Sequence, residues 1–179
     1  MKSAFLLLLA ALAVFPMTGF AQENLTAANL PDFLARFETN FGPLESVFRH
    51  WLDEKLPLRD EAGQSVARRP LADFLLEISH LRQISHQLAG KPDDLVLAAK
   101  LVISTETVAD DLFDASQIAY DNDREELGAR LSGLETVIAG NKRLLADYLL
   151  ALAADRQARL QQLEREVEEL RRKAKEGKK

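Results

Sequence analysis

The chain has 179 residues, of which 47% are hydrophobic and 28% charged, and it carries a formal net charge of −5 with no cysteine. Such a composition predicts one ordinary globular core rather than a disordered or fibrous chain. The absence of cysteine excludes disulfides, cysteine nucleophiles and covalent haem attachment, and the acidic balance argues against nucleic-acid binding by the body of the protein.

The first 21 residues have the three parts of a secretory signal peptide. Lys2 is the positive residue, residues 4–15 are an apolar run, and Pro16 ends that run before the small residues Gly19 and Ala21. The apolar run is shorter than the roughly 18 to 20 residues that span a bilayer. We therefore predict cleavage after Ala21, a mature chain without a transmembrane segment, and export, with the bacterial periplasm as the expected compartment.

Residues 22–154 are predicted to form an all-α, four-helix-bundle-like antiparallel domain, because apolar residues recur at 3–4 spacing and no strand-like alternation is present. The first helix is expected to begin at Asn29 or Leu30, with Pro31 in its first turn. Its apolar residues follow at steps of three and four: Phe33, Phe37, Phe41, Leu44, Phe48 and Trp51. Since this register runs through Gly42 and Pro43, a single helix kinked at the proline is predicted.

Residues 54–69 lack helical periodicity and are predicted to form a long loop across the outside of the bundle, which is also a candidate contact surface. The second helix is expected to start at Pro70 and to end at Gly90. The third helix follows with Asp93 and Asp94 in its first turn. Its first half is apolar nearly all round, which predicts deep burial.

The turn at residues 121–123 leads into a fourth helix, whose apolar residues keep close to heptad spacing from Leu127 to Leu152. Gly140 and Asn141 could instead form a tight turn between two helices. Because the apolar register continues across this pair, a continuous helix is favoured.

Residues 155–179 are predicted to extend the last helix beyond the bundle as a charged, coiled-coil-like tail. Their apolar residues form a narrow stripe, here called the tail seam: Leu160, Leu163, Val167 and Leu170. About three heptads is marginal for an independent coiled coil, so the seam is a candidate site for a protein partner or for self-association. From Arg159 onwards eight basic residues outnumber five acidic ones. This basic end could touch anionic envelope components weakly, although a solvated terminus is the plainer interpretation.

Two of the three histidines, His80 and His86, stand in a repeated Ile-Ser-His triplet. Six residues on a helix separate two side chains by about 120° around the axis, whereas one metal ion is held well by histidines four residues apart. We predict that His80 points away from the core, that His86 flanks it, and that the two hold no metal together.

Glu77 and His80 also match the Glu-x-x-His motif with which four-helix bundles build di-iron sites. A complete site needs a second such motif and two further inward glutamates. Glu106 and Glu135 could contribute, but half of the ligand set is missing. A solvated helix surface is therefore the expected role of Glu77 and His80.

The other candidate sites are also weak. The acidic residues between 110 and 126 do not have the spacing of a calcium loop, and no nucleophile elbow or phosphate-binding glycine loop is present. The leading prediction is therefore a non-enzymatic exported bundle that binds another macromolecule, without a cofactor or a metal. The alternative is a bundle that holds a small apolar ligand or a cofactor such as haem or a metal in its core, as suggested by the aromatic first helix and His50 near its end.

Overall fold

The computed structural model describes residues 24–54, 58–59, 63–64 and 68–176, and these residues form helices and no strand. The helices are α1 (Leu30–Glu38), α2 (Phe41–Glu54), α3 (Arg68–Gly90), α4 (Leu95–Asp121) and α5 (Glu125–Glu176). The predicted all-α bundle with a long C-terminal helix is confirmed. The predicted signal peptide lies outside the described residues.

The first helical segment is broken, and the predicted single kinked helix is wrong. The break falls at Thr39 and Asn40, whose backbone N–H groups donate to the carbonyls of Arg36 and Phe37 at 3.1 Å each, three residues back. Their side chains donate to the same two carbonyls, at 2.6 and 2.9 Å, and so satisfy the end of α1. Pro43 instead lies in the first turn of α2, where its missing N–H removes no helical hydrogen bond.

The apolar register nevertheless continues across the break. All six residues of the predicted stripe are buried: Phe33, Phe37, Phe41, Leu44, Phe48 and Trp51. Both α1 and α2 pack against α3, whose Phe74 ring stacks on Phe48 with 3.7 Å between centroids. Arg82 of α3 donates to Glu45 of α2 at 2.8 Å, which joins the two helices at the surface.

α4 packs against α3 on one side and against α5 on the other. Asp94 precedes it as the N-cap and accepts from the N–H groups of Val96 and Leu97 at 3.0 Å each, so the predicted place of Asp93 and Asp94 inside the first turn is wrong. The predicted burial of its first half all round is also wrong, because Val96 and Ile103 are 62% and 64% exposed. Packing against α3 and α5 leaves these two side chains in solvent.

The crossover between α2 and α3 contacts the rest of the body at Leu58 and Arg59. Leu58 is buried in the core. The side chain of Asn122, at the end of α4, accepts from the Arg59 N–H at 2.9 Å and donates to the Arg59 carbonyl at 2.7 Å. Leu58 and the Arg59 backbone are thus anchored to the body, whereas the Arg59 residue itself is exposed. Most of the 54–69 loop lies outside the described residues, so its role as a contact surface stays a prediction.

α5 is continuous through Gly140 and Asn141, as predicted. Asn141 donates from its side chain to the Val137 carbonyl at 2.8 Å, one turn back in the same helix. The core positions of this helix keep the predicted heptad spacing: Leu131, Ile138, Leu145 and Tyr148 are buried.

Candidate interaction surface

The last third of α5 leaves the body. From Ala153 to Glu176 every residue is exposed, although the helix is unbroken. Two hydrogen bonds mark the point of departure: the Tyr148 hydroxyl donates to the Pro92 carbonyl at 2.7 Å, and Arg156 donates to the Asp93 carbonyl at 2.7 Å. Both acceptors lie in the turn between α3 and α4, so the tail projects from that end of the bundle.

The tail seam is open to solvent along this projecting helix. Its four residues are between 45% and 65% exposed, as expected for apolar side chains that no element of the body covers. The residues around them are charged, with eight basic and five acidic side chains from Arg159 onwards. A stripe of four large apolar side chains in such surroundings is therefore the main exposed apolar feature of the tail.

The seam also continues the core-facing line of α5. Eighteen residues make about five full turns of an α-helix, so Leu163 stands above Leu145 and Leu170 above Leu152. Leu145 is buried in the body, and Leu152 packs against its core. The seam consequently faces the side of α5 on which the body lies, about 27 Å further along the helix axis.

An open cleft marks the base of the seam. Its lining residues come from the end of the body and the start of the tail: Asp93, Leu152, Asp155, Arg156, Arg159, Leu160 and Leu163. The cleft joins an apolar floor to two carboxylates and two guanidinium groups. It can seat the end of an amphipathic helix that lies along the seam.

The two neighbouring histidines both face solvent. His80 and His86 are both exposed on α3. His86 lies 3.3 Å from the carboxylate of Glu38 on α1, a contact between helices that sequence spacing could not indicate. Among the described residues no group of three or more His, Cys, Asp or Glu side chains is placed to hold a metal ion.

Glu77 faces α4 rather than a metal centre. The pKa of the Asp111 carboxyl on α4 is raised above its ordinary value, first because it loses solvent and then because Asp114, Glu77 and Asp110 lie close to it. Repulsion of the Asp111 carboxylate by these three neighbours is the second cause of its raised pKa. The sequence showed the acidic run on α4 but not that a glutamate from α3 joins it.

The aromatic residues of α1 and α2 pack against one another. Phe33 stacks on Phe37, Phe37 meets Phe41 edge-on at 5.0 Å, and Phe48 stacks on Trp51. These rings therefore build the core between the helices. His50 is exposed and lines a separate surface cleft beside the first turn of α5, at the opposite end of the bundle from the tail.

Comparison of the chain with protein-family models, with characterised proteins and with solved structures found no match. None of the helices in the described part of the chain is both long and apolar enough to cross a membrane. The functional conclusion therefore depends on the geometry of the surface.

Proposed function

We propose that the mature protein works without catalysis, as an exported helical bundle that binds another protein through the tail seam. The observation that carries this proposal is the exposure of Leu160, Leu163, Val167 and Leu170 on a rigid continuation of a core helix. The body holds the tail in place through one long helix and presents the seam beyond its own end.

The energetic reason is the unused apolar surface. Fully burying one leucine or valine side chain stabilises by about 1.5–3 kcal/mol relative to leaving it exposed. Four such side chains in one row can therefore support association once the cost of bringing two molecules together is subtracted. The charged residues on both sides of the row keep the isolated tail in solution and set which partners fit.

Export is part of the proposal and is supported by the first 21 residues. We expect the periplasm as the compartment and Gln22 as the mature N-terminus. N-terminal sequencing of material from the periplasm checks this, and material that begins at Met1 contradicts it. In that compartment we expect the basic end of the tail to make weak contact with anionic envelope components.

A pull-down from envelope extract tests the binding proposal. The mature chain is compared with Leu163→Glu, which places a charge in the seam, and with the control Leu150→Glu. Leu150 lies on the same helix and is 67% exposed, but it lies off the seam line. We expect one captured protein to be lost with Leu163→Glu and with deletion of residues 155–179, and kept with Leu150→Glu. Capture that is equal in all variants contradicts the proposal.

The alternative of a small apolar ligand in the core stays a prediction. Visible absorbance and native mass of the purified protein test it directly. A bound chromophore or a stoichiometric excess of mass would favour that alternative over protein binding.

A further inference from the structure

We infer that the tail seam binds the tail of a second copy of the same chain, with the two helices antiparallel. This inference rests on the proposed function, because it names the partner of the same surface. It follows from where the seam faces, from the spacing of its residues and from the distribution of charge.

The direction of the seam excludes a parallel pair. Leu163 and Leu145 lie on one line of the helix, and Leu145 is buried against the rest of the body. In a parallel pair the second copy's α5 would run about 10 Å away on that same side. At the level of Leu145 it would occupy the space that the first copy's own core fills. An antiparallel copy instead has its body beyond the free end of the first tail.

The seam residues match one another in the antiparallel direction. With the two-fold axis near Arg165, Leu160 of each copy faces Leu170 of the other, and Leu163 faces Val167. This register places all four apolar side chains of both copies in contact, whereas a shift by one heptad pairs only half of them. The last residues of each helix then reach the cleft at the base of the other copy's seam.

The charge distribution agrees with this arrangement. Six basic residues and one acidic residue occupy positions 171–179, and residues 22–158 contain twenty-three acidic and fourteen basic residues. An antiparallel pair brings each basic end to a body that is acidic as a whole, at a cleft where Asp93 and Asp155 lie beside the guanidinium groups of Arg156 and Arg159. A parallel pair would place the two basic ends side by side.

The charged residues that flank the seam favour the parallel orientation. In a parallel pair Arg159 would meet Glu164 of the other copy and Glu166 would meet Arg171, while the antiparallel pair brings like glutamates together near the axis. Exposed ion pairs of this kind stabilise an association only weakly, because solvent and salt screen them. The small gain from these ion pairs cannot offset the overlap of two folded bodies, so the antiparallel pair is the more stable one. The like glutamates make it a weak dimer.

Cysteine cross-linking tests the orientation, because the chain has no cysteine of its own. Leu160→Cys and Leu170→Cys proteins, one carrying a size tag, are oxidised separately and as a mixture. The expected result is a cross-linked product of mixed mass from the mixture and little product from either variant alone. Cross-linking of each variant to itself would show a parallel pair and overturn the inference.

Sedimentation velocity of the unmodified mature chain tests the association itself, at concentrations up to roughly 1 mM because so small an interface is expected to be weak. We expect a monomer–dimer equilibrium that Leu163→Glu abolishes and Leu150→Glu leaves unchanged, with helicity by circular dichroism as the check on folding. A chain that stays monomeric overturns the inference. The proposed function would still stand if the pull-down then showed a different protein bound through the seam.

Discussion

Ser85 is a buried polar residue of α3 whose hydroxyl has no hydrogen-bond partner among the described residues. A buried hydroxyl without a partner loses its water and gains nothing in return, at a cost of about 1–3 kcal/mol. Ser116 of α4 is equally buried, but its hydroxyl donates to the Phe113 carbonyl at 2.7 Å. The two serines are therefore a matched pair for substitution.

We predict that Ser85→Ala raises the free energy of unfolding by about 1 kcal/mol, because it removes the unpaired group and leaves a better helix former. Ser116→Ala should give a smaller gain or a loss, since it removes a hydrogen bond that is made. Urea denaturation of both variants checks this. A loss of stability in Ser85→Ala would show that the hydroxyl has a partner in solution.

Gly128, in the first turn of α5, allows the ring of Tyr120 to lie against the helix. A Cβ atom at this position would come within 2.7 Å of Tyr120 Cε1, closer than two unbonded carbon atoms can pack. Gly140 lies in the same helix, and a Cβ atom there would meet nothing within 4 Å. Substitution of Gly128 thus tests the close contact with Tyr120, whereas substitution of Gly140 measures only the general cost of glycine in a helix.

We predict that Gly140→Ala raises stability by about 0.5–1 kcal/mol, whereas Gly128→Ala lowers it because the Tyr120 ring must move. In a Tyr120→Ala background the loss at Gly128 should become a gain of similar size to that at Gly140. Urea denaturation of the unmodified chain, Gly128→Ala, Tyr120→Ala and the double variant completes a double-mutant cycle, with Gly140→Ala measured beside it. Equal effects of the two alanines in the unmodified chain would contradict the close contact.

Between elements, the contact of α3 with α4 includes the repulsive group of carboxylates around Asp111. Its raised pKa means that the folded protein holds this proton more tightly than the unfolded chain does. The stability that this group contributes is present at a pH below its unfolded value of 3.8. It is lost as the pH rises through the higher folded value.

We predict that Asp111→Asn raises the thermal midpoint near pH 7 and that the difference disappears near pH 3, where the native carboxyl is already protonated. Thermal unfolding at the two pH values checks this, with Asp147→Asn on the exposed side of α5 as the control. A constant difference at both pH values would show that charge is not the cause.

The elements themselves could be predicted from the sequence because burial imposes the 3–4 period on every packed helix. The break at Thr39 and Asn40 could not be predicted, because the apolar register crosses it unchanged. Proline is the residue that usually disrupts a helix, so the sequence indicated a kink at Pro43 instead. Contacts between distant residues were also out of reach. The Asn122 side chain binds the backbone of Arg59, 63 residues earlier in the chain, and no local sequence pattern predicts such a contact.

For the whole molecule, the sequence allowed the tail seam to be predicted but not the direction in which it faces. Four leucine and valine residues in a charged helix stand out by composition alone. Their alignment with the core-facing residues Leu145 and Leu152 requires the helix to be unbroken where it leaves the body, as the structure shows. The exposure of Val96 and Ile103 was missed because it depends on which helices neighbour α4.

We expect the body to fold by itself, with the tail as an appendage for binding. Thermal unfolding of the mature chain with residues 155–179 deleted decides between this expectation and a tail that belongs to the core. In the described part of the tail every residue is exposed, and Arg156 makes its one hydrogen bond to the body, to the Asp93 carbonyl. The midpoint should therefore stay within a few degrees of that of the full chain, which is about the effect of 1 kcal/mol at this size. A truncated protein that is unfolded at room temperature would contradict the claim, because the tail would then have to be part of the core.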